Sequence, residues 1–372
     1  MKTKQFKFTI YLLFLIYIIS IISWNVYNPL VLGLIYIFLL YLLVSFRFRI
    51  EKILSLEVCL LIIYLITGLK YGISSGDLNF LLLIVFLRIY FNNTNIDEEY
   101  FIKFINYTYI VYILLSILLY FSIIPPEILG RDLNIFEKSL FGSPIRTFIG
   151  FGGSTADIDS YSSFVFTINL VLNKKKNRYS YIVLAAIILL LTFRVTPIIV
   201  IVAVVIYNIF SLRYISKNFS QMIFIIFSIL CLLSFLVPYI FKGYNINFVE
   251  ITHARDFIWN QYVDVIFNNP IEKVILGFRN QFPQIYIPWG IGGVTTNPHS
   301  SYLRLILSIG TMFIGLYIVW MNRLRLVKNE YRTIVISILI AAITNSEIFS
   351  LGNPVYIISI YYFIYNKPND IV

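Results

Sequence analysis

Charged residues are scarce in this sequence, and their scarcity excludes a water-soluble protein. Asp, Glu, Lys and Arg make up 13% of the 372 residues, hydrophobic residues make up 59%, and the mean hydropathy is +0.84. A typical soluble domain carries about 25% charged residues. The composition therefore indicates a polytopic membrane protein.

Cysteine, histidine and nucleotide-binding motifs are also rare or missing. Cys59 and Cys231 are the two cysteines, and both lie inside apolar stretches, so no disulfide framework and no cysteine metal site is expected. No P-loop, HExxH motif or low-complexity linker is present. We expect neither a metal nor a cofactor. The two histidines, His253 and His299, stand out for the same reason.

Twelve apolar stretches run along the chain, each approaching the roughly 20 residues that cross a hydrocarbon core. They lie at about 8–24, 28–46, 53–69, 78–92, 101–124, 155–172, 180–194, 196–211, 219–241, 301–320, 332–346 and 349–365. Lipid leaves backbone groups unsatisfied outside helices and closed barrels, and these stretches show no alternation of period two. We predict an all-α protein with about twelve transmembrane helices in one integral membrane domain, residues 1–372. The first stretch is followed by Trp24 and Asn25 rather than by a cleavage site, so we expect it to be retained.

Most of the 29 Lys and Arg residues fall in alternate segments between these stretches, beginning with the N-terminal one. Basic segments stay in the cytoplasm, so both termini are predicted to be cytoplasmic. The net charge of +11 reflects this bias and attraction to anionic membrane lipid, and not a nucleic-acid partner. Two substantial polar segments then face outward: 125–154 and the larger 242–300, which lies between the ninth and tenth helices.

Both histidines lie in the larger outer segment, where Arg255 and Arg279 accompany them. A histidine after Asn297 and Pro298 at a helix start is compatible with an interfacial or capping role. The combination also suits catalysis, since a neutral imidazole accepts a proton from a hydroxyl and a guanidinium binds a diphosphate. No soluble domain faces the cytoplasmic nucleotides, so an activated donor must be lipid-linked. The segment therefore suits glycosyl transfer from a lipid diphosphate.

A short amphipathic helix is predicted inside the larger outer segment. From Thr252 onward, apolar residues recur at helical spacing, as in a helix that lies on a membrane surface. Its apolar face comprises Phe257, Ile258, Tyr262, Val265 and Ile266. Asn269 and Pro270 are expected to end it, and the prolines and glycines of 277–298 predict irregular structure beyond.

Three motifs in this part of the chain read HARDFIW, NNPIEKVILGF and NPHSSYLRLILSIGTMFIGL. They resemble the C-terminal half of the O-antigen polymerase and O-antigen ligase superfamily, which includes Wzy-type capsular polysaccharide polymerases. The matching positions, in the family's order, are Arg255, Trp259, Asn269, Pro270, Gly277, His299, Gly310 and Gly315. Upstream, LLLTFRVTP resembles the family's Thr-x-Arg turn and contains Arg194, and RTFIGFGGSTADIDSYSSF, which begins at Arg146, resembles its arginine-plus-glycine segment. The likeness spans about 146–315, and Ser300 stands where the family commonly has Asn.

The resemblance implies a GT-C-like, metal-independent glycosyltransferase in a bacterial inner membrane. Such an enzyme moves an O-antigen or capsule glycan from undecaprenyl diphosphate to an acceptor hydroxyl on the outer face, and a chain-length regulator protein is compatible with it as a partner. The implied roles are general base or acceptor-orienting group for His299, and diphosphate contact for Arg255 and Arg194. Further expected contacts to the diphosphate or glycan are Arg146, Arg304, Arg279, Trp259, Asn297 and Tyr302.

Several alternatives stay open at the level of the sequence. Polymerase and ligase share these motifs, so a ligase that transfers finished polymer to a core acceptor is the runner-up, followed by a flippase or exporter of lipid-linked oligosaccharide. Asp157 and Asp159 form a D-x-D of the kind that holds a divalent metal, although a helix N-cap is the favoured interpretation. Arg304 either lines a cavity or pairs with Glu347 or Asp159. Arg194 at a helix end also suits contact with lipid headgroups.

Overall fold

The structure is a computed structural model that describes most of the chain from residue 55 onward. The described residues are 11, 13–15, 17–18, 55–94, 96–124, 137–140, 143–146, 148, 150–151, 155–192, 196–213, 216–243, 255–287, 293–295, 297–346, 348–349 and 353–366. This part is mostly helical, as predicted, with two small antiparallel strand pairs. In the predicted stretch 8–24 the described residues are helical, and the stretch 28–46 lies outside the described residues.

Each predicted stretch from residue 53 onward contains a helix. In chain order the helices are α1 (Leu56–Tyr71), α2 (Ser75–Asn93), α3 (Glu98–Tyr120), α4 (Thr155–Val171), α5 (Arg178–Leu191), α6 (Thr196–Arg213), α7 (Lys217–Leu233), α8 (Val237–Ile240), α9 (Arg255–Asn268), α10 (Ile271–Leu276), α11 (Ser301–Ile309), α12 (Thr311–Leu324), α13 (Asn329–Thr344) and α14 (Val355–Tyr365). Helix α14 begins later than predicted because Pro354 disfavours helical backbone in the residue before it.

Three helical segments in the described ranges are long and apolar enough to cross a membrane. They are Ser75–Asn92, Glu98–Tyr120 and Lys217–Ile240, the last of which joins α7 to α8. Shorter apolar helices are Arg178–Leu191, Thr196–Ile209 and Val355–Tyr365. Large apolar side chains on α5, α6 and α7 stay exposed, for example Leu190, Ile198 and Leu230. Such surfaces suit lipid better than water, and together with the helix lengths they indicate a membrane protein.

The core of the bundle lies around α13 and α14. Residues 331–342 of α13 are all buried, and so is every residue of α14 except Tyr365. A helix that is buried on all sides occupies the centre of its bundle. Helix α13 packs against α4, α6 and α7, while α14 packs against α2 and α12. Asn345, which directly follows α13, contacts the first residues of α4 and α11.

The predicted span 301–320 is wrong as a single helix, because two helices meet at Gly310. This residue has φ 70° and ψ −155°, a conformation that is essentially confined to glycine. Helix α11 therefore stops after nine residues, about 14 Å, which is too short to cross a bilayer. Eight of its nine residues are buried inside the protein. Helix α12 continues the chain in a new segment.

The described parts of the segment 242–300 contain more regular secondary structure than the sequence predicted. Helix α9 ends at Asn268, as expected from Asn269 and Pro270. Its buried residues are Ile258, Trp259, Tyr262 and Val263, and they pack on the protein, so this face is not open to a membrane surface. Beyond it, β3 (Ile285–Ile287) pairs with β4 (Gly293–Thr295) where irregular chain was expected. Hydrogen bonding between the two strands satisfies backbone groups that an irregular loop would leave open. A second pair joins β1 (Glu137–Leu140) to β2 (Ser143–Arg146); strands are numbered in chain order.

Candidate active site

His299 lies in a sharply turned segment just before α11. Its backbone has φ 53°, a left-handed value that is uncommon outside glycine. The turn is held by Asn297, whose side-chain oxygen accepts a hydrogen bond from the His299 backbone N–H at 2.9 Å. Asn297 is anchored in its own turn, since its N–H donates to the Thr295 hydroxyl at 3.0 Å. Asn297 is thus a backbone support for His299, and the half-buried imidazole is presented by a constrained turn.

Helix α9 is fastened to the same turn. The indole N–H of Trp259 donates to the carbonyl of Pro298 at 2.8 Å, and the Trp259 side chain is buried. Arg255 stands one helical turn before Trp259, so the two side chains share a face of α9. The contact therefore places the half-buried Arg255 on the same side of the molecule as His299. Trp259 contributes here by holding the two elements together.

A polar cluster connects the start of α11 to the start of α4. Two residues after His299, the Ser301 hydroxyl donates to the backbone carbonyl of Asn345 at 2.6 Å. The Asn345 amide in turn donates to the Asp157 carboxylate at 3.2 Å and to the Ser160 hydroxyl at 3.1 Å. Asp157 is half-buried and lies in the first turn of α4. The structure thereby links Asp157 through Asn345 to Ser301, two residues after His299, a connection that no spacing in the sequence indicates.

The two aspartates of the D-x-D motif, Asp157 and Asp159, lie on different sides of α4. Asp157 contacts the Asn345 cluster, whereas Asp159 is only 3% exposed. Residues two positions apart on a helix do not face each other, which argues against joint coordination of one ion. Across the described ranges, no group of three or more His, Cys, Asp or Glu residues is arranged to hold a metal ion.

Arg304 lies in the middle of α11 and points to the end of α13. One of its terminal nitrogens donates to the backbone carbonyl of Ser346 at 3.2 Å. The side chain is half-buried, and its charge interacts with the carboxylate of Asp77 at the start of α2. The sequence offered Glu347 or Asp159 as partners; Glu347 lies outside the described residues, and Asp77 is a carboxylate that the sequence did not indicate.

Arg279 contacts α1 in this structure, and its expected contact with substrate stays a prediction. Its side chain is only 2% exposed, and its guanidinium donates to the carbonyls of Tyr64 and Gly72 at 3.3 Å and to the Thr67 hydroxyl. The guanidinium also stacks 4.4 Å from the ring centroid of Tyr64. Gly72 directly follows α1, whereas Tyr64 and Thr67 lie within its C-terminal half. Burial lowers the pKa of Arg279, and its donors are occupied by the protein.

Tyr302 packs inside the bundle. The side chain is fully buried, and its hydroxyl donates to the carbonyl of Leu339 in α13 at 3.0 Å. Its ring makes edge contacts with Tyr317 and Phe349. Its ring and its hydroxyl are both engaged inside the bundle, and the expected contact with a glycan stays a prediction. The spacing of the apolar residues in α11 did not show which side of the helix is exposed, so the burial of Tyr302 could not be predicted from the sequence.

Close backbone packing requires glycine at two of the motif positions, Gly277 and Gly310. A Cβ added at Gly277 would lie 2.1 Å from the carbonyl oxygen of Ser308, and one added at Gly310 would lie 2.1 Å from that of Ile275. The backbone N–H of Phe278 donates across the same gap to Leu307. The end of α10 therefore rests directly on the break between α11 and α12. Gly315 differs, since it has open space beside it.

The side chains of Arg194, His253 and Arg146, which the sequence analysis named, lie outside the described part of the structure. Arg194 and His253 lie outside the described residues. Only the backbone of Arg146 is described, opposite Glu137 in the β1–β2 pair.

Two cavities of about 330 and 510 Å³ lie beside α3. The first is lined by charged and polar residues and the second by mainly apolar ones, and neither lining includes a predicted site residue. The candidate site around His299 lies elsewhere, where the helices α4, α9, α11 and α13 approach one another.

No protein-family model, no curated protein and no solved structure matches this chain. The resemblance to the O-antigen polymerases consequently rests on the sequence motifs and their order alone.

Proposed function

We propose that this protein is a polysaccharide repeat-unit polymerase of the Wzy type. It would transfer an O-antigen or capsule glycan from undecaprenyl diphosphate to an acceptor sugar hydroxyl at the outer face of a bacterial inner membrane. The proposal includes a GT-C-like bundle of about twelve membrane helices with both termini in the cytoplasm. The observation that supports it most is the hydrogen bond from Trp259 to Pro298, which holds the Arg255 end of α9 beside the His299 turn.

The proposed chemistry is a metal-independent glycosyl transfer. The acceptor oxygen forms a bond to the anomeric carbon while the bond from that carbon to the diphosphate oxygen breaks. His299 receives the acceptor proton as a neutral imidazole, and the diphosphate leaves with the electron pair. Arg255 neutralises the charge that develops on the diphosphate, because a guanidinium donates several hydrogen bonds in one plane. Arg304, and Arg194 and Arg146 where their side chains reach, supply further positive charge.

Asp157 and Asn345 support the same location. The Asp157 carboxylate, which is linked through Asn345 to Ser301 just after the His299 turn, can accept hydrogen bonds from sugar hydroxyls, and the buried Asn345 amide holds it in place. The favoured role for Asp157 is therefore contact with the acceptor glycan. We expect chelation with EDTA to leave elongation unchanged, whereas inactivation that a divalent ion restores would contradict metal-independent chemistry.

Deletion in the native host separates the candidate functions. Loss of the glycan ladder with single repeat units still attached to their acceptor supports polymerase activity. Full-length chains that accumulate on the lipid carrier would identify a ligase instead. Lipid-linked units that accumulate on the cytoplasmic leaflet would identify a flippase.

Two substitutions test the site itself. His299→Ala and Arg255→Ala should each abolish elongation while the protein still reaches the membrane in normal amounts. Lys242→Ala is the matched control, because it removes an exposed cation of the same segment that pairs with Asp264 and lies over the ring of Tyr239. Normal elongation by either site variant would show that its assigned role is wrong.

A further inference from the structure

The two cavities beside α3 adjoin each other, and their linings differ in polarity. The smaller one, of about 330 Å³, is lined by residues 97–99, 102–103 and 106–107 of the start of α3 and by residues 172–175, 177 and 181 around the loop between α4 and α5. We call it the polar cavity. The larger one, of about 510 Å³, is lined by residues 11, 14, 100, 103, 107, 110 and 111, and we call it the apolar groove. Lys103 and Tyr107 line both, so one space leads past these two side chains into the other.

The apolar groove follows the axis of a helix that is long and apolar enough to cross a membrane. Lys103, Tyr107, Ile110 and Val111 recur at helical spacing, so they lie on one face of α3. From Lys103 to Val111 the helix rises about 12 Å. The hydrocarbon of one leaflet is about 15 Å deep, half of the bilayer core. The groove thus has the length of much of one acyl chain, with the polar cavity at one end of it.

Two of the carboxylates that line the polar cavity are already paired within the protein. Glu98 forms an ion pair with Lys328 and accepts a hydrogen bond from the Tyr331 hydroxyl at 2.9 Å. Glu99 pairs with both Lys103 and Lys175. These contacts fix the start of α3 against the α4–α5 loop and neutralise most of the negative charge of the lining.

Lys174 is the cation of the lining that these pairs leave over. It is exposed, and in the part of the chain that the structure describes it forms no ion pair. The third carboxylate, Asp97, accepts a hydrogen bond from the backbone N–H of Glu99 at 2.9 Å. With Lys328 included, four lysines meet three carboxylates around the polar cavity. The excess of positive charge favours an anion, and an ammonium group binds phosphate as a point charge.

We propose that the polar cavity and the apolar groove together bind one anionic phospholipid of the surrounding bilayer, at a site separate from that of glycosyl transfer. The phosphodiester contacts Lys174 in the polar cavity, and one acyl chain passes Lys103 and Tyr107 to lie in the apolar groove. Basic pockets between membrane helices bind anionic lipid headgroups for the same electrostatic reason. The bound lipid bridges α3 and the α4–α5 loop and thereby stabilises the folded protein.

The test measures lipid binding to the detergent-purified full-length protein by native mass spectrometry. Phosphatidylglycerol and phosphatidylcholine with identical acyl chains are titrated separately. We expect the first phosphatidylglycerol to bind about 5-fold more tightly than phosphatidylcholine, which is the effect of one charge interaction near a membrane surface. Lys174→Ala should weaken the binding of phosphatidylglycerol by about the same factor. Lys176→Ala is the matched control, because Lys176 is an exposed lysine of the same loop that does not line the polar cavity, and it should keep the wild-type Kd.

A second pair of variants tests the apolar groove. Val111→Trp fills the groove, so the protein should lose most of its bound phosphatidylglycerol and phosphatidylcholine alike. Leu114→Trp is its control, since Leu114 also belongs to α3, is 54% exposed and does not line the groove. This variant should bind both lipids as the wild type does.

Three results would overturn the proposal. They are equal Kd values for the two lipids, equal Kd values for Lys174→Ala and Lys176→Ala, and displacement of phosphatidylglycerol by inorganic phosphate at millimolar concentration, which would identify a site for a soluble anion. The melting temperature of each variant in detergent verifies that it is folded. Lys174 and Lys176 are both exposed, so their comparison decides the question even where Val111→Trp does not fold.

Discussion

Replacing Gly310 with alanine should destabilise the protein strongly, because two independent effects act at this residue. The first is backbone conformation. With φ 70° and ψ −155°, Gly310 occupies a region that side chains with a Cβ rarely adopt, and holding an alanine there costs about 1–3 kcal/mol.

The second effect is a direct collision with α10. The new Cβ would lie 2.1 Å from the carbonyl oxygen of Ile275 and 2.6 Å from the backbone nitrogen of Gly277. Neither atom can rotate away, so the two backbones must separate. Overpacking of this kind adds about 1–3 kcal/mol. The sum, about 2–6 kcal/mol, is a large share of the roughly 5–15 kcal/mol that stabilises a typical protein.

The assay is the melting temperature of the detergent-purified protein, followed by size-exclusion chromatography after heating. For 372 residues and an unfolding entropy of about 2.1 cal/mol/K per residue, the loss corresponds to a fall in Tm of roughly 3–8 °C. Gly315→Ala is the matched control, since Gly315 lies in α12 with nothing within 4 Å of its added Cβ. That variant should gain about 0.5–1 kcal/mol. Equal melting temperatures for the two variants would refute the close backbone packing.

Three further outcomes follow from the contacts around the site. Arg279→Lys keeps the charge but loses the planar fork that reaches several acceptors on α1, so the free energy of unfolding should fall by about 2–4 kcal/mol. The folded variant should still support normal elongation, and slower elongation at an unchanged Tm would make Arg279 a substrate contact. Tyr302→Phe removes one buried hydrogen bond and should cost about 0.5–1.5 kcal/mol with no change in donor KM, and a raised KM would contradict its placement in the core. The pKa of Glu272 lies below its usual 4.5, first because Tyr71 donates a hydrogen bond to it and then because of the charge of Lys70. The stabilisation of the fold by ionised Glu272 is therefore complete above pH 4.5 and is lost as the pH falls through the lowered pKa. The melting temperatures of Glu272→Gln and the wild type should differ at neutral pH and converge in acid. A difference that does not change with pH would exclude the ionised contact.

The positions of the helices could be predicted because they depend on local sequence. A long apolar run satisfies its backbone only as a helix in lipid or in a core, and Asn269 with Pro270 ends α9 whatever surrounds it. The order of Trp259 and His299 in the motifs likewise indicated a common site, and the structure links them through Pro298. The break at Gly310 was missed because a glycine inside an apolar run is also compatible with a continuous helix.

The roles of individual polar residues could not be predicted in the same way. Arg255 and Arg279 lie in one segment with similar neighbours, yet Arg279 is buried where it donates to the carbonyls of Tyr64 and Gly72, whereas Arg255 is half-buried. Asn345 and Asp77 carried no recognisable signal, because each is a single polar residue at a helix end. Their importance arises from the elements that pack against them.

The sequence by itself determined the class of this protein, the location of its helices and the segment that carries its histidines, because hydrophobicity and turn chemistry act over a few residues. Only the tertiary structure decided which arginines remain near His299, where α11 stops and which carboxylates approach it. Those properties depend on contacts between residues as far apart as Tyr64 and Arg279, or Asp157 and Asn345, and burial is set by the whole bundle rather than by any one segment.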